Sequence, residues 1–238
     1  MDTMIYTALS RQSGLKSELD IIANNLANAS TTGFRAESLV FSEYVSQQSR
    51  TRDSVSMTDI GARIIDSSQG ALRQTGGTLD IAIEGEGYFQ LAGAEGVLLT
   101  RAGSFASNEN GELVSLEGRQ VLDEGGAPIF IPPNARDISV ASDGTLSADG
   151  APLSVVGVVA PINATAMARV GATAFAPNGP VEIVEGATLH QGFLETSNVN
   201  PLEEVARMIE VQRRYESVKS FADREHDRIK SVIDTLGR

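Results

Sequence analysis

The chain has 238 residues, no cysteine, no tryptophan, two histidines and a formal net charge of −12 at pH 7. Without cysteine it can form no disulfide, no thiolate zinc site and no cysteine nucleophile, and having only two histidines argues against His-rich metal sites and Ser-His-Asp catalysis. The acidic balance argues against binding to a nucleic-acid backbone, and no apolar run is long enough for a membrane span. Most of the excess negative charge lies between residues 51 and 194, so the two ends are nearly neutral. We therefore expect the ends and the centre to have different tasks.

The N-terminal region has the apolar spacing of a helix. Apolar residues recur three and four positions apart, which predicts a heptad seam along one helix face. Asp2 is a suitable N-cap, and the turn-forming residues of 28–33 are expected to end the helix. The seam consists of Ile5, Ala8, Gln12, Leu15, Leu19, Ile22, Leu26 and Ala29. Its two alanines and its glutamine make the seam thin, so we expect this helix alone to be weakly stable in water.

The C-terminal region predicts a longer helix, from Pro201 to Leu236, with Asn200 as its N-cap and Glu203 completing a capping-box pattern. Such a helix would span roughly 54 Å, which is more than an ordinary globular helix. Its seam consists of Met208, Val211, Tyr215, Val218, Ala222, Glu225, Ile229, Val232 and Leu236. The two terminal seams predict coiled-coil packing, either with each other or with the same helices of neighbouring copies.

Between the two helices the pattern changes to short apolar runs separated by glycine. The hairpin signals of this stretch are Asn110-Gly111, Asp143-Gly144 and Asp149-Gly150. They predict an antiparallel β domain. The preceding polar segment predicts an extended connector with little core of its own.

The predicted fold class is therefore α+β, with long N- and C-terminal coiled-coil-type helices flanking an antiparallel β-rich middle domain. The predicted regions are the N-terminal helix at 1–35, the connector at 36–75, the β-rich domain at 76–190, and the junction with the C-terminal helix at 191–238.

No active site emerges from the sequence. Gly85-Glu86-Gly87 resembles the start of a dinucleotide-binding loop, but Gln90 stands where the third glycine is needed, and a strand follows instead of a helix. Residues 108–112 lack the spacing of a calcium loop and favour a hairpin. His190 and His226 belong to no recognisable catalytic pattern. We predict no catalytic, cofactor-binding or metal-ligating residue, no cofactor and no enzyme activity.

Six motifs, in chain order, carry a family resemblance. Residues 23–35 read Ala-Asn-Asn-Leu-Ala-Asn-Ala-Ser-Thr-Thr-Gly-Phe-Arg, and residues 192–200 read Gly-Phe-Leu-Glu-Thr-Ser-Asn-Val-Asn. Between them lie Leu-Asp-Ile-Ala-Ile-Glu-Gly-Glu-Gly-Tyr-Phe at 79–89, Thr-Arg-Ala-Gly-Ser-Phe at 100–105, and the hairpin motifs beginning at Asn110 and Asp143. The order and identity of these motifs closely resemble those of the flagellar rod and hook proteins. Three asparagines within five helical positions are unfavourable by propensity, so they need a reason such as amide contacts with neighbouring subunits.

This resemblance implies a structural subunit of the bacterial flagellar basal-body rod, which polymerises through its terminal helices into the drive shaft that transmits torque to the hook and filament. The implied partners are other proximal and distal rod subunits, further copies of the chain, and the flagellar export apparatus. The implied location is the basal body within the periplasmic space, reached without a cleaved signal peptide. The length and the opening residues favour a proximal rod subunit, with a distal rod or hook subunit as the alternative.

We expect the seams and the terminal motifs to supply the assembly interface. The predicted interface residues are Leu15, Leu19, Ile22, Asn24, Asn25, Leu26, Asn28, Leu194, Ser197, Asn198, Val199, Met208, Val211, Tyr215, Val218, Ile229 and Val232. Two other functions, in different classes of protein, are compatible with the sequence. A secreted coiled-coil adhesin would share the terminal seams, and a β-domain enzyme could use paired carboxylates such as Glu84 and Glu86.

Overall fold

The computed structural model describes residues 2–47, 54–163, 167–184 and 186–236, and for residues 2–6, 41–47, 54–61, 229 and 232–236 it describes the backbone alone. The chain divides into two compact units. The first unit consists of Met1–Ala27, Glu37–Asp66 and Asn200–Arg238. The second consists of Asn28–Ala36 and Ser67–Val199. Neither unit is therefore one continuous stretch of sequence.

The first unit contains two long helices, α1 (Asp2–Ala27) and α2 (Pro201–Leu236). Helix α2 begins where its capping residues predict, because Asn200 Oδ1 accepts a hydrogen bond from the Leu202 N–H at 3.2 Å. The two predicted terminal helices and the antiparallel β-rich middle are thus confirmed, and the fold class is α+β.

The two predicted seams meet inside the first unit. Leu15, Ile22 and Val211 form a buried cluster, and the partly buried residues packed against it are Leu19, Met208, Tyr215 and Val218. Glu18 is buried beside them and accepts hydrogen bonds from Arg207, at 2.9 Å from Nη2 and 3.2 Å from Nε. The α1–α2 contact therefore combines apolar burial with a hydrogen-bonded ion pair.

The first unit also contains a long antiparallel strand pair, β1 (Glu37–Gln47) and β2 (Ser54–Ile65). Its register runs from the pair Glu37–Ile65 to the pair Gln47–Ser54, with an irregularity between Val40 and Phe41. These strands arise from the segment 36–75, for which the sequence predicts an extended connector. Valine, phenylalanine and tyrosine within this polar segment favour strand pairing, although polarity dominates its composition.

The described residues of the second unit contain fifteen short strands. They are β3 (Leu72–Gln74), β4 (Ile81–Glu84), β5 (Tyr88–Gly93), β6 (Gly96–Thr100), β7 (Phe105–Ser107), β8 (Leu113–Ser115), β9 (Ile138–Val140), β10 (Thr145–Ala148), β11 (Ala151–Val155), β12 (Val158–Pro161), β13 (Ala168–Val170), β14 (Ala174–Ala176), β15 (Val181–Ile183), β16 (Thr188–Gln191) and β17 (Phe193–Glu195).

All pairings of these strands are antiparallel. The largest sheet has six strands in the order β13-β14-β6-β5-β12-β15, and a three-stranded sheet has the order β11-β10-β9. The pairs β16-β4, β17-β3 and β7-β8 complete the unit. The last strand in sequence, β17, therefore lies beside the first strand, β3, so that the two ends of the stretch 67–199 are joined.

One apolar core runs through the second unit. Phe89 and Phe105 meet edge to face in it, with ring centroids 5.1 Å apart, and Leu146 is fully buried in the same core. The hairpin predicted at Asp149-Gly150 joins β10 to β11, with φ of 50° and 79° at its two residues. Two positive φ values are what a type I′ turn requires, and the Asp-Gly pair supplies them.

In the described residues, neither helix is long and apolar enough to cross a membrane. The same residues contain no group of three or more His, Cys, Asp or Glu side chains arranged to hold a metal ion.

We expect Leu146→Ala to lower the free energy of unfolding of the second unit by about 2–5 kcal/mol, because it leaves a cavity in the apolar core. Leu116→Ala is the matched control, since Leu116 is exposed and its truncation should change this free energy by less than about 0.5 kcal/mol. Urea unfolding followed by far-ultraviolet circular dichroism measures both. Similar losses in the two variants would contradict this placement of the core.

Candidate functional site

The segment Asn28–Ala36, here called the strap, leaves α1 and belongs to the second unit. It begins with a turn in which Asn28 accepts two hydrogen bonds from Thr31, one from the N–H at 3.0 Å and one from the hydroxyl at 3.2 Å. Gly33 then adopts a φ of 68°, and a Cβ at this position would lie 2.2 Å from the backbone nitrogen of Ala102. Glycine is therefore needed here both for its conformation and for the close approach of two backbones.

The strap runs beside the segment 195–198. The Gly33 N–H donates to the Glu195 carbonyl at 2.8 Å, and the Asn198 N–H donates to the Phe34 carbonyl at 3.4 Å. One step further on, the Ala36 N–H donates to Asn198 Oδ1 at 2.7 Å. Because residue numbers rise together along both segments, the two segments run in the same direction.

A buried ion cluster joins the strap to this segment. Arg35 has 0% and Glu195 1% of its surface exposed, and Arg101 is buried beside them. Arg35 Nη2 lies 2.9 Å from Glu195 Oε1 as an ion contact, and Arg101 Nη1 donates to Glu195 Oε2 at 3.2 Å. The Gly70 N–H also donates to Glu195 Oε1, at 2.9 Å. One carboxylate thus serves two guanidinium groups and one backbone amide.

The remaining hydrogen bonds of the two arginines go to backbone carbonyls. Arg35 Nη1 donates to the Ser68 carbonyl, and Arg101 Nη2 donates to the Gly85 carbonyl at 2.6 Å. Burial lowers the pKa of the Arg101 guanidinium from its ordinary value; the charge of Glu195 opposes this effect and the charge of Arg35 adds to it. Arginine stays protonated in proteins, so two positive charges face the one carboxyl group of Glu195.

Arg169 holds the strap from another side. Its guanidinium carbon lies 4.4 Å from the ring centroid of Phe34 and 5.0 Å from that of Phe175, which is the geometry of cation–π contacts. Arg169 Nη2 also donates to the Arg35 carbonyl, and Nη1 donates to the Ala172 carbonyl at 2.6 Å. The strap is therefore held through both its side chains and its backbone.

Asn198 connects three points at which the chain passes between units. Its Oδ1 accepts the Ala36 N–H, while its Nδ2 donates to the Ser68 carbonyl at 3.0 Å and to the Ser68 hydroxyl at 3.2 Å. Ala36 ends the strap, Ser68 lies one residue after the chain re-enters the second unit, and Val199, next to Asn198, is the last residue of that unit. We call Arg35, Ser68, Arg101, Glu195 and Asn198 the junction cluster.

The residues predicted for the assembly interface fall into several settings. Seven of them lie in the contact between α1 and α2, namely Leu15, Leu19, Ile22, Met208, Val211, Tyr215 and Val218. In the second unit, Leu194 and Val199 are buried, and the Ser197 hydroxyl accepts the Val199 N–H at 3.2 Å. Asn24 is exposed and Leu26 is partly exposed. The side chains of Ile229 and Val232 lie outside the described residues.

Asn25 has a definite task within the chain. It is buried, its Oδ1 accepts the Glu37 N–H at 3.0 Å, and its Nδ2 donates to the Glu37 carbonyl at 2.8 Å. This pair of bonds satisfies both backbone groups of the first residue of β1. The unfavourable helix propensity of Asn25 therefore has a structural reason inside one subunit.

Arg35, Arg101 and Glu195 were not predicted from the sequence as site residues. Each stands inside one of the motifs that carry the family resemblance, at the positions Gly-Phe-Arg, Thr-Arg-Ala-Gly and Gly-Phe-Leu-Glu. A charged residue placed among apolar and glycine residues in a motif was the available signal. The motifs lie far apart in sequence, so their charges could not be paired before the fold was known.

Three family models match the chain, and each covers one of the charged residues Arg35, Arg101 and Glu195. "Flagella basal body rod protein" matches residues 5–35, which include Arg35. "Flagellar hook protein FlgE/F/G D1 domain" matches residues 82–148, which include Arg101. "Flagellar basal body rod FlgEFG protein C-terminal" matches residues 190–227, which include Glu195.

Curated relatives match over nearly the whole chain. The chain is 38% identical to the flagellar basal-body rod protein FlgF of Caulobacter vibrioides and 37% identical to that of Mesorhizobium japonicum, in each case over 100% of this chain and 99% of the relative. It is 34% identical to the flagellar basal-body rod protein FlgG of Bacillus subtilis, over 90% of this chain and 91% of the relative.

We expect Glu195→Gln to destabilise the second unit by about 3–5 kcal/mol, because it leaves two buried arginines without a counter-charge. Arg35→Met should cost less, about 1–3 kcal/mol, since Arg101 and Glu195 can still pair one to one. Urea unfolding of the full chain measures both. Arg119→Met is the control, because its ion pair with Glu117 is partly exposed and should contribute no more than about 1 kcal/mol. A larger loss in Arg35→Met than in Glu195→Gln would contradict the shared-carboxylate arrangement.

Gly33→Ala should destabilise the second unit more than Gly76→Ala does. Both glycines have nearly the same conformation, with φ of 68° and 73°, so each substitution carries a similar backbone strain of about 1–2 kcal/mol. A Cβ at Gly76 meets no atom within 4 Å, whereas a Cβ at Gly33 collides with the backbone of Ala102. The difference between the two urea midpoints isolates this collision, and equal midpoints would show that the strap does not lie against Ala102.

Proposed function

The chain belongs to the flagellar basal-body rod proteins and is a structural subunit of the rod, and we propose that it polymerises with other rod subunits through its two terminal helices. The observation that carries this proposal is an exposed apolar stripe on α2. Leu202, Val205 and Ile209 are 83%, 41% and 48% exposed and follow one another at spacings of three and four residues. Three large apolar side chains along one helix face favour burial against another helix.

The stripe is rotated by about a third of a turn around α2 from the seam that packs on α1. At 3.6 residues per turn, the stripe and the seam residues Met208, Val211 and Tyr215 point to different sides of α2. We infer that the seam residues hold α1 and α2 together within a subunit, and that the stripe contacts a helix of the neighbouring subunit. Burial of apolar surface would stabilise this contact by about 25 cal/mol per Å². Coiled-coil packing is part of this proposal.

We further propose the proximal part of the rod as the place of this subunit. The similarity to the two FlgF relatives extends over the full length of both chains, which supports this place. A distal place is the second candidate, because an FlgG relative is also 34% identical over 90% of the chain. Rescue of a strain that lacks its own FlgF-type subunit, but not of one that lacks its FlgG-type subunit, would decide for the proximal place.

We also propose that the chain reaches the periplasmic part of the basal body through the flagellar export apparatus in a largely unfolded state. The absence of cysteine supports this route, since no disulfide has to form on arrival. The thin seam of α1 supports helices that become fully ordered when subunits dock. In the assembled rod such subunits would transmit torque to the hook and filament.

We expect Leu202→Glu and Ile209→Glu each to abolish rod assembly and swimming, because a charge would have to be buried in the proposed contact between subunits. Complementation of a strain that lacks this protein, with basal bodies counted by electron microscopy, is the measurement. Ser217→Glu is the control, since it adds the same charge at an exposed position of α2 outside the stripe. Full swimming by both stripe variants, at normal protein levels, would refute polymerisation through this face.

A further inference from the structure

We propose that the strap and the segment 195–198 form a mechanical clasp. Tension between the two terminal helices loads the contact between these segments in shear, and the contact keeps that tension from the β-sheets. This inference rests on the proposed function, because a rod subunit that transmits torque is loaded through its helices. The clasp consists of residues of the second unit alone.

The direction of the two segments determines how the clasp is loaded. Tension on α1 reaches the second unit at Asn28 and pulls the strap toward its N-terminus, whereas tension on α2 reaches it at Val199 and pulls 195–198 toward its C-terminus. Because the segments run in the same direction, these opposite pulls slide one lengthwise along the other. The hydrogen bonds at Gly33, Phe34 and Ala36 are then strained together and cannot break one after another.

Side chains oppose this sliding. Movement of the strap would separate Arg35 from Glu195 in a site that excludes water, which leaves buried charges without partners. It would also pull Phe34 away from Arg169. Movement of the other segment is opposed by the contact of Glu195 with Arg101 and by the pairing of β17 with β3.

The clasp transmits force between Asn28 and Val199 over a short distance. The strap bonds directly to the segment 195–198, so the force between Asn28 and Val199 need not pass through the six-stranded sheet while these bonds hold. The Asn198 side chain also bonds to Ala36 at the end of the strap and to Ser68 near the start of the stretch 67–199. This one side chain therefore connects three segments of the second unit.

Single-molecule pulling of the full chain tests the clasp. The native chain has no cysteine, so Lys16→Cys in α1 and Lys219→Cys in α2 provide two unique handles at exposed positions. Because α1 and α2 pack on each other, their contact separates first, and the load then reaches the second unit. We expect Asn198→Ala to raise the rate at which the second unit unfolds at a given load by about tenfold. The substitution removes the hydrogen bond from Ala36 across the sliding contact and the two bonds that hold Asn198 to Ser68. Arg35→Met, which removes a different part of the clasp, should raise this rate at least as much.

Leu146→Ala is the control, because Leu146 lies in the apolar core of the same unit, whose residues do not belong to the clasp. It should lower the equilibrium stability strongly and yet change the loaded unfolding rate by less than about twofold, since the core is still intact when the clasp slides. An unchanged rate in both Asn198→Ala and Arg35→Met would overturn the clasp, and so would an equal acceleration in Leu146→Ala. These outcomes are independent of the swimming assay with the stripe variants, so failure of the clasp and failure of polymerisation can be told apart.

Discussion

The second unit depends on the ion contacts of the Glu195 carboxylate with two buried arginines. The carboxylate lies between Arg35 and Arg101 in a site with almost no solvent exposure, where an ionised group is stable only if it is paired. Arg35, Arg101 and Glu195 come from three distant parts of the sequence, and each part is matched by a different family model. The strap is therefore as much a part of the β-rich unit as the strands are, although it follows directly on the N-terminal helix.

Local features of the sequence predict the helices and several turns well. The periodicity and the caps of α2 give its bounds, and Asp149-Gly150 gives the hairpin between β10 and β11, because these signals act over a few residues. The pairing of β1 with β2 was not predicted, since the segment is polar and pairing depends on a partner strand. The docking of the strap depends on Gly33 meeting the backbone of Ala102, and a contact so distant in sequence leaves no local pattern.

The candidate site shows the same division. The seam residues could be selected because helical periodicity places them on one face, and the structure brings those of α1 and α2 together. The asparagine-rich stretch was recognised as needing a reason, and for Asn25 the reason is the backbone of Glu37 in the same chain. Arg35 and Arg101 could not be assigned to Glu195, because 19 basic and 31 acidic residues allow many pairings. Burial, which sequence does not report, distinguishes this cluster from surface charges.

The sequence left two destinations open for the seams, a hairpin within one chain or a contact between chains. In the structure seven seam residues pack between α1 and α2 within the chain, and a second apolar face on α2 is exposed. Because the two faces point to different sides, α2 can contact α1 and a neighbouring subunit at the same time. In the proposed assembly both destinations are therefore occupied, by different residues of one helix. This arrangement requires firm α1–α2 packing inside each subunit, since a displaced α1 would leave the seam free to compete with the stripe for the neighbour.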